Sequence, residues 1–302
     1  MTNEMEPKEP ETKEPETKEK RKRDSQNVEW QFDFANLGES FKNLVGSMAG
    51  DEETKHATFK HPLDGASSAD VEIGFSIGKG SIRPLLSSSN LMEADITYVG
   101  EVEFEVEGEQ HKRVKLAQKN TKNVLGPIRQ GFRALADRQD LEWNIGLATG
   151  IPLDLSIDGG VGPIEADLTG LTVKDLEIDS GVGTMHVTLP VQDHALNTEI
   201  DSGVGQLTIV VPEGAHGTLD VEGGVGEVKI LVSPNAAVYL EAESGLGSIQ
   251  TPDNMKRISG KSEFLDNSGE WRTEGYELAQ KRLRVQFDGG VGSFRIAHHR
   301  QA

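Results

Sequence analysis

The sequence predicts an all-β protein that contains a parallel β-solenoid, and two observations carry this prediction. The first is a glycine phrase, Gly-Val-Gly or Gly-Leu-Gly, whose six copies are 21, 22, 21, 21 and 45 residues apart. The copies begin at Gly160, Gly181, Gly203, Gly224, Gly245 and Gly290. The second is an alternation of apolar and polar residues around each copy, as in "GVGQLTIVVP". A repeat of this length is typical of solenoids, whose units bury their apolar faces by stacking.

The first part of the chain divides into a charged tail and an aromatic segment. Residues 1–26 carry two KEPET units and almost no apolar residues, so we expect a disordered tail. Residues 27–52 predict a short strand followed by an amphipathic helix. The helix and strand pack on the protein's own fold, dock on a partner, or lie on a membrane surface, and the sequence leaves the three open. The candidate docking residues are Trp30, Phe32, Phe34, Leu37, Phe41 and Leu44.

Three further segments follow. Residues 53–119 alternate with period two and predict an N-terminal β module, in which "EVEFEVEGEQHKRVKLAQ" is a hairpin. Residues 120–140 predict a connector with a short helix after Pro127. Residues 141–302 form the predicted solenoid, and the insertion at residues 250–286 is expected to cap its last edge or to provide a recognition surface.

Composition limits the classes of partner and reaction. Fifty acidic against 31 basic residues give a net charge of −19, which repels phosphate backbones, so no nucleic-acid partner is expected. The absence of cysteine excludes disulfides and thiolate chemistry. No apolar run reaches the roughly 20 residues that cross a bilayer, and the first residues lack an apolar signal segment. We therefore expect a cytoplasmic protein, with membrane association as an alternative.

The glycine phrase is not expected to bind a nucleotide. A dinucleotide loop occurs once and opens a helix, whereas this phrase occurs six times and opens strands. The chain also lacks the G-x-S-x-G, H-E-x-x-H and P-loop motifs. We predict a protein that is not an enzyme and that uses no cofactor.

Several quoted segments resemble a known family. "IPLDLSIDGGVGPIEADLTGLTVKDLEIDSGVGTMHVTLP" and "WRTEGYELAQKRLRVQFDGGVGSFRI" resemble the toast-rack family, the β-rich domain of LiaF-type envelope-stress proteins and related adhesin-like proteins. "VEIGFSIGKGSIRPL" and "LMEADITYVGEVEFEVEG" resemble its N-terminal module. The resemblance spans roughly residues 68–300, and it implies a non-catalytic scaffold or sensor without catalytic residues to carry over. The chain departs from LiaF-type members because it has no transmembrane helix, which makes residues 27–50 a candidate substitute.

Two sets of side chains could bind a metal if the repeats stack in register. An acidic ladder would hold calcium in one interpretation and remain a solvated edge in the other. Its members are Asp158, Asp179, Asp201, Glu222 and Glu243. His194 and His216 occupy the same position in two repeats, as a zinc pair or as an accidental surface pair.

The functional prediction has three alternatives. A binding or scaffold module for envelope-stress signalling comes first, with a protein partner or self-association and peripheral membrane contact. An adhesin-like surface or structural protein, which binds a glycan or another solenoid, is the alternative. An enzyme that acts on polysaccharide is third.

Overall fold

The computed structural model of the chain describes residues 54–119, 141–263 and 266–299. The tail, the aromatic segment at residues 27–52 and the connector at residues 120–140 lie outside the described residues. Within these ranges the fold is all-β, and the prediction of fold class is confirmed. One 3-10 turn, Tyr276–Leu278, interrupts the strands.

The strands form two layers that face each other, and both layers extend from one end of the solenoid to the other. Those of the N-terminal region are β1 (Lys55–Pro62), β2 (Ser68–Gly74), β3 (Lys79–Leu85), β4 (Asn90–Tyr98), β5 (Val102–Glu107), β6 (His111–Gln118) and β7 (Glu142–Ala148). In the first layer, β5 and β6 form the predicted antiparallel hairpin, and β6 pairs in parallel with β2. In the second layer, β1, β4 and β7 pair antiparallel, and β7 pairs in parallel with β3. These antiparallel strands close one end of the molecule.

The middle coils each contribute one strand to each layer, with the glycine phrase at the corner between them. Their strands are β8 (Pro152–Asp158), β9 (Val161–Asp167), β10 (Thr172–Asp179), β11 (Val182–Thr188), β12 (Leu196–Asp201) and β13 (Val204–Val211). β2, β8, β10 and β12 stack in parallel in the first layer. β3, β9, β11 and β13 do the same in the second. Each coil therefore repeats the register of the coil before it, as the period predicts.

The last coils depart from the order of the sequence. β14 (Gly217–Val232), β15 (Val238–Gln250) and β18 (Leu283–His298) run through the corner and belong to both layers. β18 pairs with β14 on one side and with β15 on the other. The sixth glycine phrase therefore lies between the fourth and the fifth, and the order of the coils in space differs from their order in the chain.

The insertion explains this order. β16 (Met255–Glu263) and β17 (Asp266–Thr273) form an antiparallel hairpin, and β17 pairs with the outer side of β15. Because that side of β15 is occupied in the first layer, β18 takes the inner side. The structure confirms that the insertion caps this edge. Trp271 is buried beneath the cap, with the guanidinium of Arg257 5.2 Å from its ring centroid.

A continuous apolar core fills the space between the layers. Inward side chains alternate with exposed polar ones along each strand, as in Leu207, Ile209 and Val211 of β13, which are all buried. Aromatic rings meet across the core near both ends. Phe59 lies 5.0 Å from Phe104, and Phe287 lies 4.1 Å from Phe294 between ring centroids. Burial of this row of side chains is the main force that holds the coils together.

The corner glycines allow the coils to stack backbone on backbone. In five of the six copies the second glycine of the phrase has φ near +140°, as at Gly183 (142°) and Gly226 (146°). A Cβ atom at Gly226 would overlap the carbonyl oxygen of Gly205 in the neighbouring coil. Both the backbone conformation and the close approach therefore require glycine there.

Candidate binding surfaces at the glycine corner

The structure stacks the predicted acidic residues in register, but their order along the stack differs from the prediction. Register pairing places the carboxylates in one exposed row along the first layer, directly before the corner. The row runs Asp158, Asp179, Asp201, Glu222, Asp288 and Glu243. Asp288 thus separates Glu222 from Glu243, and we call these six residues the acidic row. Neighbouring rungs of parallel strands are about 4.8 Å apart, so adjacent charges repel by about 1 kcal/mol in water.

Asp158, at the start of the acidic row, has a raised pKa. Partial loss of solvent raises the pKa of Asp158, and the carboxylates of Asp179 and Glu72 raise it further. Lys115 acts in the opposite direction, although its ammonium is 2.7 Å from Glu72 and is shared with that carboxylate. The ionised form of Asp158 is therefore destabilised in the folded protein.

A second row lies beside the first and is apolar. The middle residues of the glycine phrases pair in register through all six coils, and we call them the valine ridge. They are Val161, Val182, Val204, Val225, Val291 and Leu246, in spatial order. Val204, Val225 and Leu246 expose 42%, 40% and 52% of their surface. The other three members, Val161, Val182 and Val291, are half-buried, so the ridge is exposed to solvent in three of its six coils.

The valine ridge is the surface that sequence reasoning missed. The repeated valine was visible, but it was interpreted only as part of a turn. The signal that predicts it is the position itself, since a side chain between two corner glycines must point away from the stacked backbone. Val204 and Val225 are exposed at equivalent positions of successive coils, which follows directly from the period.

The predicted metal ligands are not gathered into a metal cluster in the part of the chain that the structure describes. The acidic row spreads its carboxylates one per coil, which does not surround an ion. His194 and His216 contact different backbone carbonyls, those of Val173 and Gly214, each at 3.3 Å. Neither set receives support as a metal centre from this arrangement.

A shallow groove on the outer face of the first layer contains several ion pairs. The imidazole of His111 lies 3.0 Å from the carboxylate of Asp70, and Lys115 pairs with Glu72. Loss of solvent raises the pKa of the nearby Asp154, and Asp175 and Asp70 raise it further. The groove is open and predominantly acidic, since its lining has seven carboxylates and only two basic side chains, Arg113 and Lys115. It provides a charged, solvent-exposed surface rather than an enclosed chamber.

The C-terminal cap carries the other notable aromatic contact. The hydroxyl of Tyr239 donates a 2.7 Å hydrogen bond to Glu270, and this bond raises the pKa of the tyrosine to about 12. Arg284 lies over the Tyr239 ring, 5.3 Å from its centroid. The hydrogen bond joins β17 of the hairpin to β15, and the Arg284 contact joins β18 to β15 from the other side.

The predicted docking residues, Trp30 to Leu44, lie outside the described residues, so that prediction stays untested. No helix within the described ranges is long and apolar enough to span a membrane.

The architecture is that of a repeat protein whose exposed rows are set by stacked coils, and two solved structures align with the chain. A "putative cell adhesion protein" from Clostridium sporogenes aligns over 82% of this chain and 100% of its own, with 19% identity and a TM-score of 0.53. A "putative adhesin" from Bacteroides fragilis aligns over 83% of this chain and 100% of its own, with 13% identity and a TM-score of 0.28. The first likeness supports the fold. No curated protein matches the sequence.

The family follows from the sequence match. Residues 48–210, more than half of the chain, match the N-terminal domain of toast_rack, DUF2154. The chain belongs to this toast-rack family, which confirms the resemblance given by its glycine units.

Proposed function

We propose that the protein is a non-catalytic binding module of the adhesin kind, which uses the outer rows of its solenoid to hold a partner. The observation that carries this proposal is the register of the coils. Stacked glycine corners repeat each outward side chain at a fixed spacing, so that chemically similar residues form straight rows. Such rows suit many weak contacts with an extended partner, whereas catalysis needs groups that converge on one point.

The surrounding observations agree with binding rather than chemistry. The acidic row is exposed in all six coils, and the valine ridge beside it is exposed in three of them, at Val204, Val225 and Leu246. The groove beside Asp70 is open, and its lining has seven carboxylates against two basic side chains. The Clostridium sporogenes protein of similar fold is described as a cell adhesion protein, and this description supports the proposal at the level of fold.

Cell-surface binding tests this proposal. Fluorescently labelled full-length protein is added to intact cells and to isolated envelopes of the species that encodes it, and bound fluorescence is measured against concentration. We expect saturable binding that unlabelled protein competes away. Binding that does not saturate, or that unlabelled protein leaves unchanged, would overturn the adhesin proposal. Heat-unfolded protein is the control for non-specific adsorption.

A scaffold or sensor in envelope-stress signalling is the second candidate function. The aromatic segment at residues 27–50 favours it, because nine large apolar residues directly precede the folded strands and could join a partner or a membrane. In this case the protein would be cytoplasmic, with a membrane-associated fraction.

Fractionation of native cells with crosslinking separates the two candidates. Full-length protein and a variant that lacks residues 27–50 are compared. Membrane association or one crosslinked partner that only the full chain retains would support the scaffold. If both versions fractionate alike without a partner, this candidate fails. Mass spectrometry of the mature N-terminus adds a check, because an adhesin must be exported.

A further inference from the structure

We propose that the valine ridge and the acidic row together form one docking surface for a basic amphipathic helix of a partner protein. This inference rests on the proposed binding function and names the class of partner. The two rows belong to the same corner, since each ridge residue follows its acidic residue by three positions, as Val204 follows Asp201. Their Cα atoms are therefore at most about 11 Å apart.

The fold requires the corner glycines but not the apolar residues between them. A side chain at Gly205 would overlap the carbonyl oxygen of Gly183, so glycine is fixed by packing. Val204 and Val225, by contrast, leave about two fifths of their surface in water. Leu246, two rungs beyond Val225 and past the half-buried Val291, exposes about half of its surface. Single exposed valines are ordinary, but exposed aliphatic side chains that recur along one corner are typical of an interaction site.

The dimensions of the ridge fit a helix. Six rungs at about 4.8 Å give a length of about 24 Å, which an α-helix of about 16 residues covers. The pitch of a helix, about 5.4 Å, is close to the rung spacing. A helix about 10 Å wide can place one apolar stripe on the ridge and a border of lysine or arginine side chains on the acidic row.

Charge complementarity selects a basic partner. Each of the six carboxylates of the acidic row is exposed, and neighbouring carboxylates repel each other. A cationic side chain over this row relieves the repulsion as it binds. The rigid corner adds to affinity because no backbone must be ordered on docking.

The same observations disfavour a second copy of this chain and a membrane surface. A second copy would bring its own acidic row against this one, so carboxylates would meet carboxylates across the contact. Two copies would also meet with a net charge of −19 each. The acidic row repels the anionic headgroups that attract peripheral proteins.

A synthetic peptide provides the test. The probe is a fluorescein-labelled peptide of about 16 residues, with leucine on one helical face and lysine along its border. Fluorescence anisotropy with full-length protein measures Kd. We expect saturable binding that weakens as salt rises. A scrambled peptide of the same composition and a leucine–glutamate version are expected to bind at least about tenfold more weakly.

Paired variants locate the contact. Val204→Thr with Val225→Thr keeps the β-branched shape and removes apolar surface, so we expect Kd to rise about tenfold. The matched control is Val191→Thr, an exposed valine outside the ridge, which should leave Kd unchanged. The double variant Asp201→Asn with Glu222→Gln should weaken binding and reduce its salt dependence while the protein melts no lower than the wild type.

Several outcomes overturn the inference. If the scrambled peptide binds as tightly as the designed peptide, the attraction is non-specific. If the double variant Val204→Thr with Val225→Thr binds the peptide as tightly as the control Val191→Thr does, the contact lies elsewhere. If light scattering shows that the wild type is a dimer and that the double variant Val204→Thr with Val225→Thr is a monomer, the ridge serves self-association. Binding to anionic lipid vesicles through the ridge assigns it to a membrane. If cells bind the protein saturably and the peptide does not, the docking surface fails while the adhesin proposal stands.

Discussion

The middle coils and the last coils of the solenoid share one corner but are assembled differently. From β8 to β13, each strand pairs with the strand one coil earlier in the sequence. At the end, β18 enters between β14 and β15. Its glycine phrase nevertheless stacks in register with both neighbours, as Gly292 does with Gly226 and Gly247. The comparison shows that the glycine phrase determines the register in which a coil pairs with its neighbours. The position of the coil in the stack depends instead on which strand edges are available for pairing.

Removal of β18 should destabilise the last coils more than any other change described below. A variant that ends at Lys281 takes away the buried side chains of Val285, Phe287 and Phe294, and it leaves β14 and β15 without their shared partner. We expect hydrogen-exchange protection to be lost from residue 217 onward and partly kept in the middle coils. Protection of β15 at the level of the full chain would contradict the inserted order.

Gly226→Ala breaks the corner itself. The new Cβ would overlap the Gly205 carbonyl at a φ of 146°, so we expect a loss of about 3 kcal/mol or more in the free energy of unfolding. Gly150→Ala is the matched control, because its φ is 88° and nothing lies within 4 Å of the added atom. That variant should lose only about 1 kcal/mol. Equal losses in urea melts would show that backbone stacking is not what fixes the corner.

Trp271→Ala tests the cap, which the middle coils do not need. Its ring is buried and carries the contact with Arg257, so truncation should cost about 3 kcal/mol. Exposure of the uncapped edge should also increase aggregation in light scattering. Trp271→Phe keeps an aromatic ring in place and serves as the control. A Trp271→Ala protein that melts and stays monomeric like the wild type would remove the capping role.

Asp158→Asn should have the smallest effect and the opposite sign. Because the folded protein raises the pKa of this carboxyl, its ionised form lowers stability at neutral pH, and the penalty disappears as pH falls through the raised pKa toward the ordinary 3.8. We expect a gain of up to about 1 kcal/mol at pH 7 that shrinks toward zero below pH ~4. Asp193→Asn, an exposed loop change, is the control. A gain that grows on acidification would show that loss of solvent and the neighbouring carboxylates do not penalise the ionised form of Asp158.

Much of the fold could be predicted because equivalent positions of successive repeats pair with each other. The alternation around Leu207 and Ile209 gave the buried face, and the phrase spacing gave the rungs of the acidic row. The place of Asp288 could not be predicted, since it depends on which edge of β15 the hairpin covers, and a linear pattern does not encode that choice.

The site was less predictable than the fold for a related reason. Periodicity identifies which residues are equivalent, but it does not say which equivalent rows lie next to each other at a corner. The pairing of Val182 with Val204, beside that of Asp179 with Asp201, emerges only when the turn is folded.

The inserted strand also bears on how the chain folds during synthesis. A solenoid with strictly sequential coils can add each coil as it leaves the ribosome. Here β14 and β15 must wait for residues 283–298, which are made after the whole capping hairpin. Until then, the second layer has an open apolar edge that invites pairing with other chains. We therefore expect the last third of the protein to be the part that most needs chaperone protection in the cell.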